Sequence, residues 1–141
     1  MSTHPATTQT VAQGLIDAWN AHDLQAVSRY YAPAYFGVDV SSAAPLGSRE
    51  DACLTAASYP RLSPTCSCTS TTWIVHDEQA TVVWTATGTH QGAFMHIPAT
   101  RKPFTLRGVS VFTVADGLVE RGLQMWDVAG LLCSIGLLPE F

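Results

Sequence analysis

The hydrophobic period of this chain changes near Thr65, and that change restricts the folds available to it. Before this point, apolar residues recur three or four positions apart, as they do on one face of a helix. After it, apolar and polar residues alternate along several long segments, which places successive side chains on opposite faces of a sheet. A chain that begins with helices and continues with consecutive strands predicts an α+β fold, with the helices packed on one face of a curved, mostly antiparallel sheet.

The first part of the chain predicts three helices and one short strand. Asp23 and Ser48 precede helical patterns and are residue types that cap helix N-termini. Tyr59-Pro60 and Ser63-Pro64 are expected to end the third helix, because the residue before a proline disfavours helical geometry. The predicted elements are a flexible tail at 1–8, helices around 11–19, 23–31 and 48–57, and a strand at 35–40.

The second part predicts four strands and a closing helix. Turn signals at His76-Asp-Glu and Ala115-Asp-Gly favour hairpins between antiparallel neighbours. Asp127 stands at the capping position of the last helix. The predicted elements are strands at 66–75, 79–92, 103–114 and 118–126 and a helix at 127–136. No linker or repeat interrupts the pattern, so residues 1–141 are expected to form one domain.

Composition excludes several classes of function. The chain has 141 residues, of which 47% are hydrophobic and 13% charged, enough for a sizeable core. Its net charge is −4 and its seven Lys and Arg residues are dispersed, so nucleic acid is not an expected partner. No apolar run approaches the roughly 20 residues that span a bilayer, and the N-terminus lacks signal-peptide features. We therefore expect no membrane partner and a cytoplasmic location.

No cofactor is predicted. The four cysteines contain a C-x-C pair but no C-x-x-C pair, which favours reduced thiols over a zinc site. Phosphate-binding and dinucleotide-binding glycine motifs are also missing from the sequence. One alternative stays open, because His90, Asp127 and Asp39 could converge in space as an iron-binding set that sequence spacing does not exclude.

Two side chains are the candidate catalytic residues. Alternation puts His90 on the same strand face as Val82 and Trp84, at the end of an apolar row. In the last strand, Asp127 ends a row that faces inward if the strand has no bulge. A carboxyl group with apolar neighbours has a raised pKa and is suited to general acid/base catalysis near neutral pH. The alternatives are a structural role for buried His90 and a helix-capping role for Asp127.

Several motifs from Trp84 to Pro139 resemble one protein family. These motifs are Thr87-Gly-Thr-His-Gln-Gly92, Gly108-Val-Ser-Val-Phe112, Asp116-Gly117 and Trp126-Asp-Val-Ala-Gly-Leu-Leu132. Their order and spacing resemble the SnoaL-like polyketide cyclases of the NTF2-like superfamily. The resemblance implies a cone-shaped fold, often dimeric, and an acid/base role for Asp127 in aldol ring closure. Relatives often carry aspartate where Ser110 and Gln124 stand, so the pocket here is expected to be less acidic.

An apolar, aromatic cavity is expected to bind a hydrophobic small molecule. Arg107 is a candidate for pairing with Asp127 or with a substrate oxygen, or else an outward-facing surface residue. The aromatic candidates have core packing as their alternative role. The predicted substrate-binding residues are Asp39, Trp73, Trp84, Phe94, His96, Arg107, Phe112, Gln124 and Trp126.

The sequence therefore predicts a cofactor-independent enzyme of secondary metabolism that acts on a polyketide-type substrate. Asp127 would exchange a proton with the substrate, and His90 would orient the substrate or shuttle the proton. Other chemistry on the same fold, as in a dehydratase, an isomerase, an epoxide-opening enzyme or another cyclase, is an alternative. A non-catalytic protein that binds a hydrophobic ligand, or a dimer that scaffolds partners, is the alternative from a different class.

Overall fold

A computed structural model describes residues 5–139, with side chains from Thr7 onward. This part of the chain forms four helices and one five-stranded open sheet, which confirms the predicted α+β fold. The elements in chain order are α1 (Pro5–Asn20), α2 (Leu24–Tyr30), β1 (Tyr31–Asp39), α3 (Arg49–Leu62), β2 (Ser67–His76), β3 (Gln79–Thr89), β4 (Pro103–Ala115), β5 (Leu118–Trp126) and α4 (Val128–Ser134).

The sheet has the strand order β1-β5-β4-β3-β2. The last four strands are antiparallel neighbours, as the turn signals predicted, whereas β1 runs parallel to β5. Strand β5 is therefore hydrogen-bonded on both sides, and β1 and β2 are the edges. Residues of α1 pack with the inner faces of β3 and β4, so the helices cover one face of the sheet.

A β-bulge at Glu120 changes which side chains of β5 face the interior. In the pairing with β4, Thr113 is opposite Arg121 and Val114 is opposite Val119, so Glu120 has no partner. One extra residue reverses the alternation of faces beyond it. Val119 is fully buried, but Leu123 and Met125 are 36% and 41% exposed. The predicted inward row from Val119 to Asp127 is therefore wrong after its first residue.

Two hydrophobic clusters form the core. The larger one lies beneath α1 and includes Leu15, Val82 and Phe112. The smaller one lies beneath α4 and includes Leu62 and Leu131. Trp84 and Cys68 pack against both clusters, so they connect the two parts of the interior.

Some element ends differ from the predictions. Helix α1 begins at Pro5, and Thr8 is fully buried and donates a 2.6 Å hydrogen bond to the carbonyl of Asp77, so the tail expected at 1–8 does not include residues 5–8. Residues 1–4 lie outside the described part of the chain. Helix α3 continues through Pro60 to Leu62, where the backbone N–H of its cap, Ser63, bonds to the Tyr59 carbonyl. The caps predicted at Asp23, Ser48 and Asp127 are confirmed, since each side chain accepts a backbone N–H.

The end of α1 is fixed to edge strand β2 by one side chain. The Asn20 amide donates to the Cys68 carbonyl and accepts from the Cys68 N–H, both at 2.7 Å. These two bonds satisfy backbone groups at the sheet edge. They hold one wall of the space between helices and sheet.

Gly108 makes room for the Trp84 ring at the centre of the sheet. It is the register partner of Trp84 on β3 and of Trp126 on β5. A Cβ atom at this position would lie 2.2 Å from Cζ2 of Trp84. The Trp84 ring therefore occupies the space that a side chain at position 108 would need.

We expect Gly108→Ala to lower the free energy of unfolding by about 1–3 kcal/mol, because the Trp84 ring would have to leave its rotamer. The matched control is Gly47→Ala, where an added Cβ would meet only Asp51 Oδ2 at 3.8 Å. Urea unfolding followed by tryptophan fluorescence measures both. Equal stability of the two variants would contradict this account of Gly108.

Candidate active site

A cavity of about 220 Å³ lies between the helices and the inner face of the sheet. Its walls are mostly apolar and aromatic. Residues on α1, β1, β3 and β4 that form these walls include Leu15, Ile16, Trp19, Tyr31, Tyr35, Trp84, Ala86 and Phe112. Such a cavity with a few converging polar groups has the features of a small-molecule site.

Three polar side chains form a row across the sheet at the cavity wall. Asp39 on β1 is the register partner of Gln124 on β5, which is the partner of Ser110 on β4. Trp84 Nε1 donates a 2.9 Å hydrogen bond to Ser110 Oγ, and Ser110 Oγ donates to Gln124 Oε1. We call Asp39, Gln124 and Ser110 the polar row.

Asp39 is held with one oxygen satisfied and one available. Its Oδ1 accepts hydrogen bonds from Ser41 N at 2.9 Å and from Ser41 Oγ at 2.6 Å. The Trp126 indole N–H lies 2.9 Å from Ser41 Oγ and 3.3 Å from each Asp39 oxygen. Oδ2 therefore has only one long contact. Among the described residues that line the cavity, Asp39 is the single carboxylate, and none is a lysine or arginine.

Three tyrosines in the cavity wall have raised pKa values. Burial raises the pKa of Tyr59, and the nearby Asp39 carboxylate raises it further. Burial likewise raises the pKa of Tyr31, with a smaller contribution from Tyr35, and it raises the pKa of Tyr35 to about 12. These hydroxyls are therefore uncharged at neutral pH and can donate hydrogen bonds to a ligand.

The end of the cavity near β2 carries two thiols and a histidine. Burial raises the pKa of Cys66, and burial together with Cys66 raises the pKa of Cys68 to about 11, so both thiols stay protonated near neutral pH. His22 Nε2 lies 3.2 Å from the Cys66 carbonyl. Because a carbonyl only accepts, Nε2 carries the proton.

The structure brings five of the predicted substrate-binding residues to the cavity and leaves four outside its lining. Those that line it are Asp39, Trp84, Phe112, Gln124 and Trp126. Trp73 packs at the edge of the larger core cluster, and Arg107 is exposed on the outer face of β4. Arg107 is a backbone neighbour of Asp127, but among the described residues no ion pair joins their side chains, so the predicted pairing is not formed. Phe94 and His96 lie in the connection between β3 and β4.

Asp127 is an exposed helix cap. Its Oδ1 accepts the Gly130 N–H at 2.8 Å, and its own N–H donates to the Arg107 carbonyl at 2.9 Å. The bulge at Glu120 turns it away from the cavity, so the expectation that its carboxyl group has apolar neighbours inside the cone is wrong. Its catalytic role stays a prediction without that geometric support.

His90 is 1% exposed but does not belong to the cavity lining, so the expectation that its ring faces the substrate is wrong. Its Nδ1 lies 2.9 Å from Thr100 Oγ1 and accepts the Thr100 N–H at 3.2 Å. Within residues 7–139, its buried Nε2 has no hydrogen-bond partner. The ring thus fixes the base of the loop after β3. His90, Asp127 and Asp39 do not converge, so the alternative iron-binding set is not formed.

The loop between β3 and β4 packs against two residues of the cavity wall. Phe94 and Ile97 exchange two backbone hydrogen bonds, and Met95 and His96 between them have φ of 51° and 62°. Two central residues with positive φ are typical of a type I′ hairpin, where Asn-Gly is the usual sequence. The Phe94 ring lies 6.2 Å from Trp126 and 6.5 Å from Tyr59. Phe94 therefore packs on two residues of the cavity wall.

The sequence predictions missed most of the polar lining residues, among them Asn20, His22 and Tyr59. Asn20 is the last residue of α1, His22 lies in the turn after it, and Tyr59 lies in the last turn of α3. Their convergence depends on how these helices cross the sheet, which periodicity does not specify. The one sequence signal for any of them was the row of apolar residues on α1, which faces the sheet and ends next to Asn20.

The four helices and the open five-stranded sheet, with a cavity between them, form an NTF2-like, ketosteroid isomerase-like fold. The chain belongs to the SnoaL-like polyketide cyclase family, whose family model matches residues 9–135. A search of curated proteins gives no match. None of the described helices has the length and apolar character needed to cross a membrane.

Solved structures of three bacterial proteins are similar over nearly the whole chain. A SnoaL-like protein from Jannaschia sp. CCS1 has a TM-score of 0.87 at 19% identity, covering 99% of this chain and 98% of its own. AclR from Streptomyces galilaeus, provisionally assigned as a hydroxylase, has a TM-score of 0.86 at 20% identity, covering 97% of this chain and 85% of its own. IdmH from Streptomyces antibioticus, provisionally assigned as a polyketide cyclase, has a TM-score of 0.81 at 22% identity, covering 92% of this chain and 98% of its own. At these identities the likeness establishes the fold.

We expect the free energy of unfolding to fall as pH rises from about 9 towards about 12. In the unfolded chain the cavity tyrosines and Cys68 ionise near their ordinary pKa values of 10.0 and 9.0, whereas in the folded protein their pKa values are raised. Their contribution to stability is therefore complete below the unfolded pKa values and is lost as pH rises through the folded ones. Urea unfolding across this interval measures the slope, which Tyr35→Phe should reduce. A pH-independent free energy of unfolding would show that these groups are not shifted.

Proposed function

We propose that this protein is a cofactor-independent enzyme that transfers protons on an apolar, ketone-bearing substrate of the polyketide type, with Asp39 as the acid/base. The observation that supports this most directly is the position of Asp39. It is the single carboxylate among the described residues of the cavity lining, and its Oδ2 has only a long contact with Trp126. Family membership supports the polyketide-type chemistry.

The two Asp39 oxygens have different environments, which suits a proton-transfer role. Oδ1 accepts two hydrogen bonds from Ser41, so the carboxylate is fixed in one orientation. Oδ2 is left with lone pairs to accept a proton from substrate. A base fixed in position avoids the entropy cost of orienting it during the reaction.

The proposed reaction begins when Asp39 Oδ2 takes a proton from the carbon next to a ketone. The electron pair of the broken C–H bond forms the enolate. In a cyclase, the enolate carbon then attacks a second carbonyl of the same molecule, and protonated Asp39 returns the proton to the new alkoxide. In an isomerase, the proton returns to a different carbon. Each route leaves the carboxylate as it began and needs no redox change.

The competing assignment is the predicted pair of Asp127 and His90. Asp127 is exposed and caps α4, and the Nδ1 of His90 is engaged by Thr100. These contacts favour structural roles for both residues and therefore favour Asp39 as the acid/base.

We expect Asp39→Asn to lower the rate of proton exchange on the order of 10²-fold or more, because an amide cannot exchange the proton. The assay follows deuterium exchange at the activated carbon of β-tetralone in D₂O by NMR. Asp127→Asn is the matched control, since its amide oxygen can still cap α4, and it should keep the wild-type rate.

The reverse result, with Asp127→Asn inactive and Asp39→Asn active, would return the acid/base role to Asp127. Thermal unfolding of both variants shows whether either loss comes from the fold. Saturable binding of β-tetralone without exchange above the rate of buffer would instead favour the ligand-binding alternative.

We further propose that the protein is a cytoplasmic homodimer whose subunits meet through the outer face of the sheet. The four free cysteines are consistent with a reducing compartment. On the outer face, Met125, Val109 and Val83 are cross-strand neighbours, next to the exposed Leu123. An apolar patch at the centre of a sheet is a suitable surface for self-association.

Met125→Asp is expected to shift the protein to a monomer, because a carboxylate at this position would face its symmetry-related copy in a two-fold interface. Gln25→Asp on α2 is the control, and it should leave the molecular mass of the particle in solution unchanged. Analytical ultracentrifugation measures both. A wild-type protein that stays monomeric at high concentration would disprove the dimer.

A further inference from the structure

The Gln124 side chain has a hydrogen-bonding capacity that the proposed proton transfer at Asp39 does not use. Its Oε1 accepts from Ser110, while its Nε2 has no protein partner among the described residues. Gln124 lies in the cavity lining between Asp39 and Ser110. An amide that presents two donors to an apolar cavity needs a ligand acceptor or water.

In the structure the hydrogen bonds of the neighbouring residues engage one end of this amide, the Oε1. The Trp84 indole can only donate, so Ser110 Oγ accepts from it. The Ser110 hydroxyl has one proton, which it donates to Gln124 Oε1. With Oε1 engaged by Ser110, Nε2 is the part of the amide left for a ligand in the cavity that this side chain lines.

We infer that Gln124 is the oxygen-binding residue of this enzyme, whose amide donates to the substrate ketone oxygen and stabilises the enolate formed there. The inference rests on the proposed proton transfer at Asp39. Ser110 is a positioning residue, because it acts on the substrate only through Gln124, and the Trp84 indole N–H orients the Ser110 hydroxyl in turn. A fixed donor directed at a developing negative charge lowers the barrier without reorganisation.

The spacing of Asp39 and Gln124 matches this division of roles. They are register partners on adjacent strands, which lie about 4.8 Å apart, so both side chains leave the same face of the sheet as neighbours. A base and an oxyanion donor side by side fit a carbonyl group and the C–H bond next to it.

The cavity also limits the substrate class. Its described lining has no lysine or arginine to pair with a carboxylate or phosphate, and the Asp39 carboxylate disfavours anions. The substrate is therefore an uncharged ketone with an ionisable C–H bond, attached to an apolar ring system that packs against Trp84 and Phe112.

The first test separates Gln124 from Asp39 by a measurement that needs no turnover. β-Naphthol is a planar analogue of the enol of β-tetralone, and its fluorescence distinguishes the neutral and anionic forms. In an Asp39→Asn background, Gln124→Leu should raise the pKa of bound β-naphthol by about one unit, corresponding to a tenfold weaker interaction with the anion. Gln91→Leu, an exposed glutamine in the loop after β3, should leave that pKa unchanged.

An unchanged pKa of bound β-naphthol in Gln124→Leu would overturn the inference while leaving the role of Asp39 intact. Conversely, full exchange activity in Asp39→Asn would disprove the proposed base without changing the naphthol result. The two failures are therefore distinguishable.

The second test uses kinetics with Asp39 present. Gln124→Leu should lower kcat for exchange on the order of 10²-fold with little change in KM, because the neutral ketone binds the amide less strongly than the enolate does. Gln124→Glu should be active at low pH, where the two carboxyl groups share one proton, and should lose activity as pH rises and both ionise. A Gln124→Glu variant with the pH profile of the wild type would contradict the donor role.

The positioning role of Ser110 is tested by a double-mutant cycle. Ser110→Ala should lower kcat in the wild-type background but cause no further loss in Gln124→Leu, because it acts through the amide. Additive losses would show that Ser110 contacts the substrate independently and would overturn its positioning role.

Discussion

The β-bulge at Glu120 is the constraint on which the site depends. Because it adds one residue to β5 before the cavity, Gln124 and Trp126 face inward and Asp127 faces out. The same reversal leaves Leu123 and Met125 on the outer face, where they continue the apolar rows of β4. One irregularity in one strand therefore sets the cavity lining, the helix cap and the proposed subunit interface together.

The polar row shows how a small apolar cavity accommodates polar groups. Each indole N–H in the centre of the sheet is used: Trp84 donates to Ser110, and Trp126 donates to the Ser41 and Asp39 group. A second carboxylate beside Asp39 would face it at close range, and mutual repulsion would raise the pKa of one of them. With serine and glutamine in the other two positions, only Asp39 carries charge, and its neighbour is a donor rather than a competitor for protons.

Local sequence signals predicted the fold well where they depend on neighbours along the chain. The boundaries of β2, β4 and β5, the three caps and the shared inner face of Val82, Trp84 and His90 follow from periodicity and side-chain chemistry. The strand expected at 35–40 instead begins at Tyr31, and the strand expected to reach residue 92 ends at Thr89. The bulge could not be predicted from periodicity, because Glu120 and Arg121 are both polar and alternation does not reveal which of them is the inserted residue. Asp39 and Gln124 were identified separately, but their adjacency requires the parallel pairing of β1 with β5, which local pattern does not encode.

His90 illustrates why a residue on the inner face need not reach the ligand. The sheet face continues past the cavity, and at its end the interior is filled by Leu62, Phe104 and Leu131 of the smaller cluster. There the imidazole is engaged by Thr100, and the backbone of His90 also bonds to Arg101 and Lys102. These bonds secure the base of the hairpin whose strained turn holds Phe94 against Tyr59 and Trp126. His90 is therefore connected to the cavity wall through this loop, as Trp84 is connected to Gln124 through Ser110.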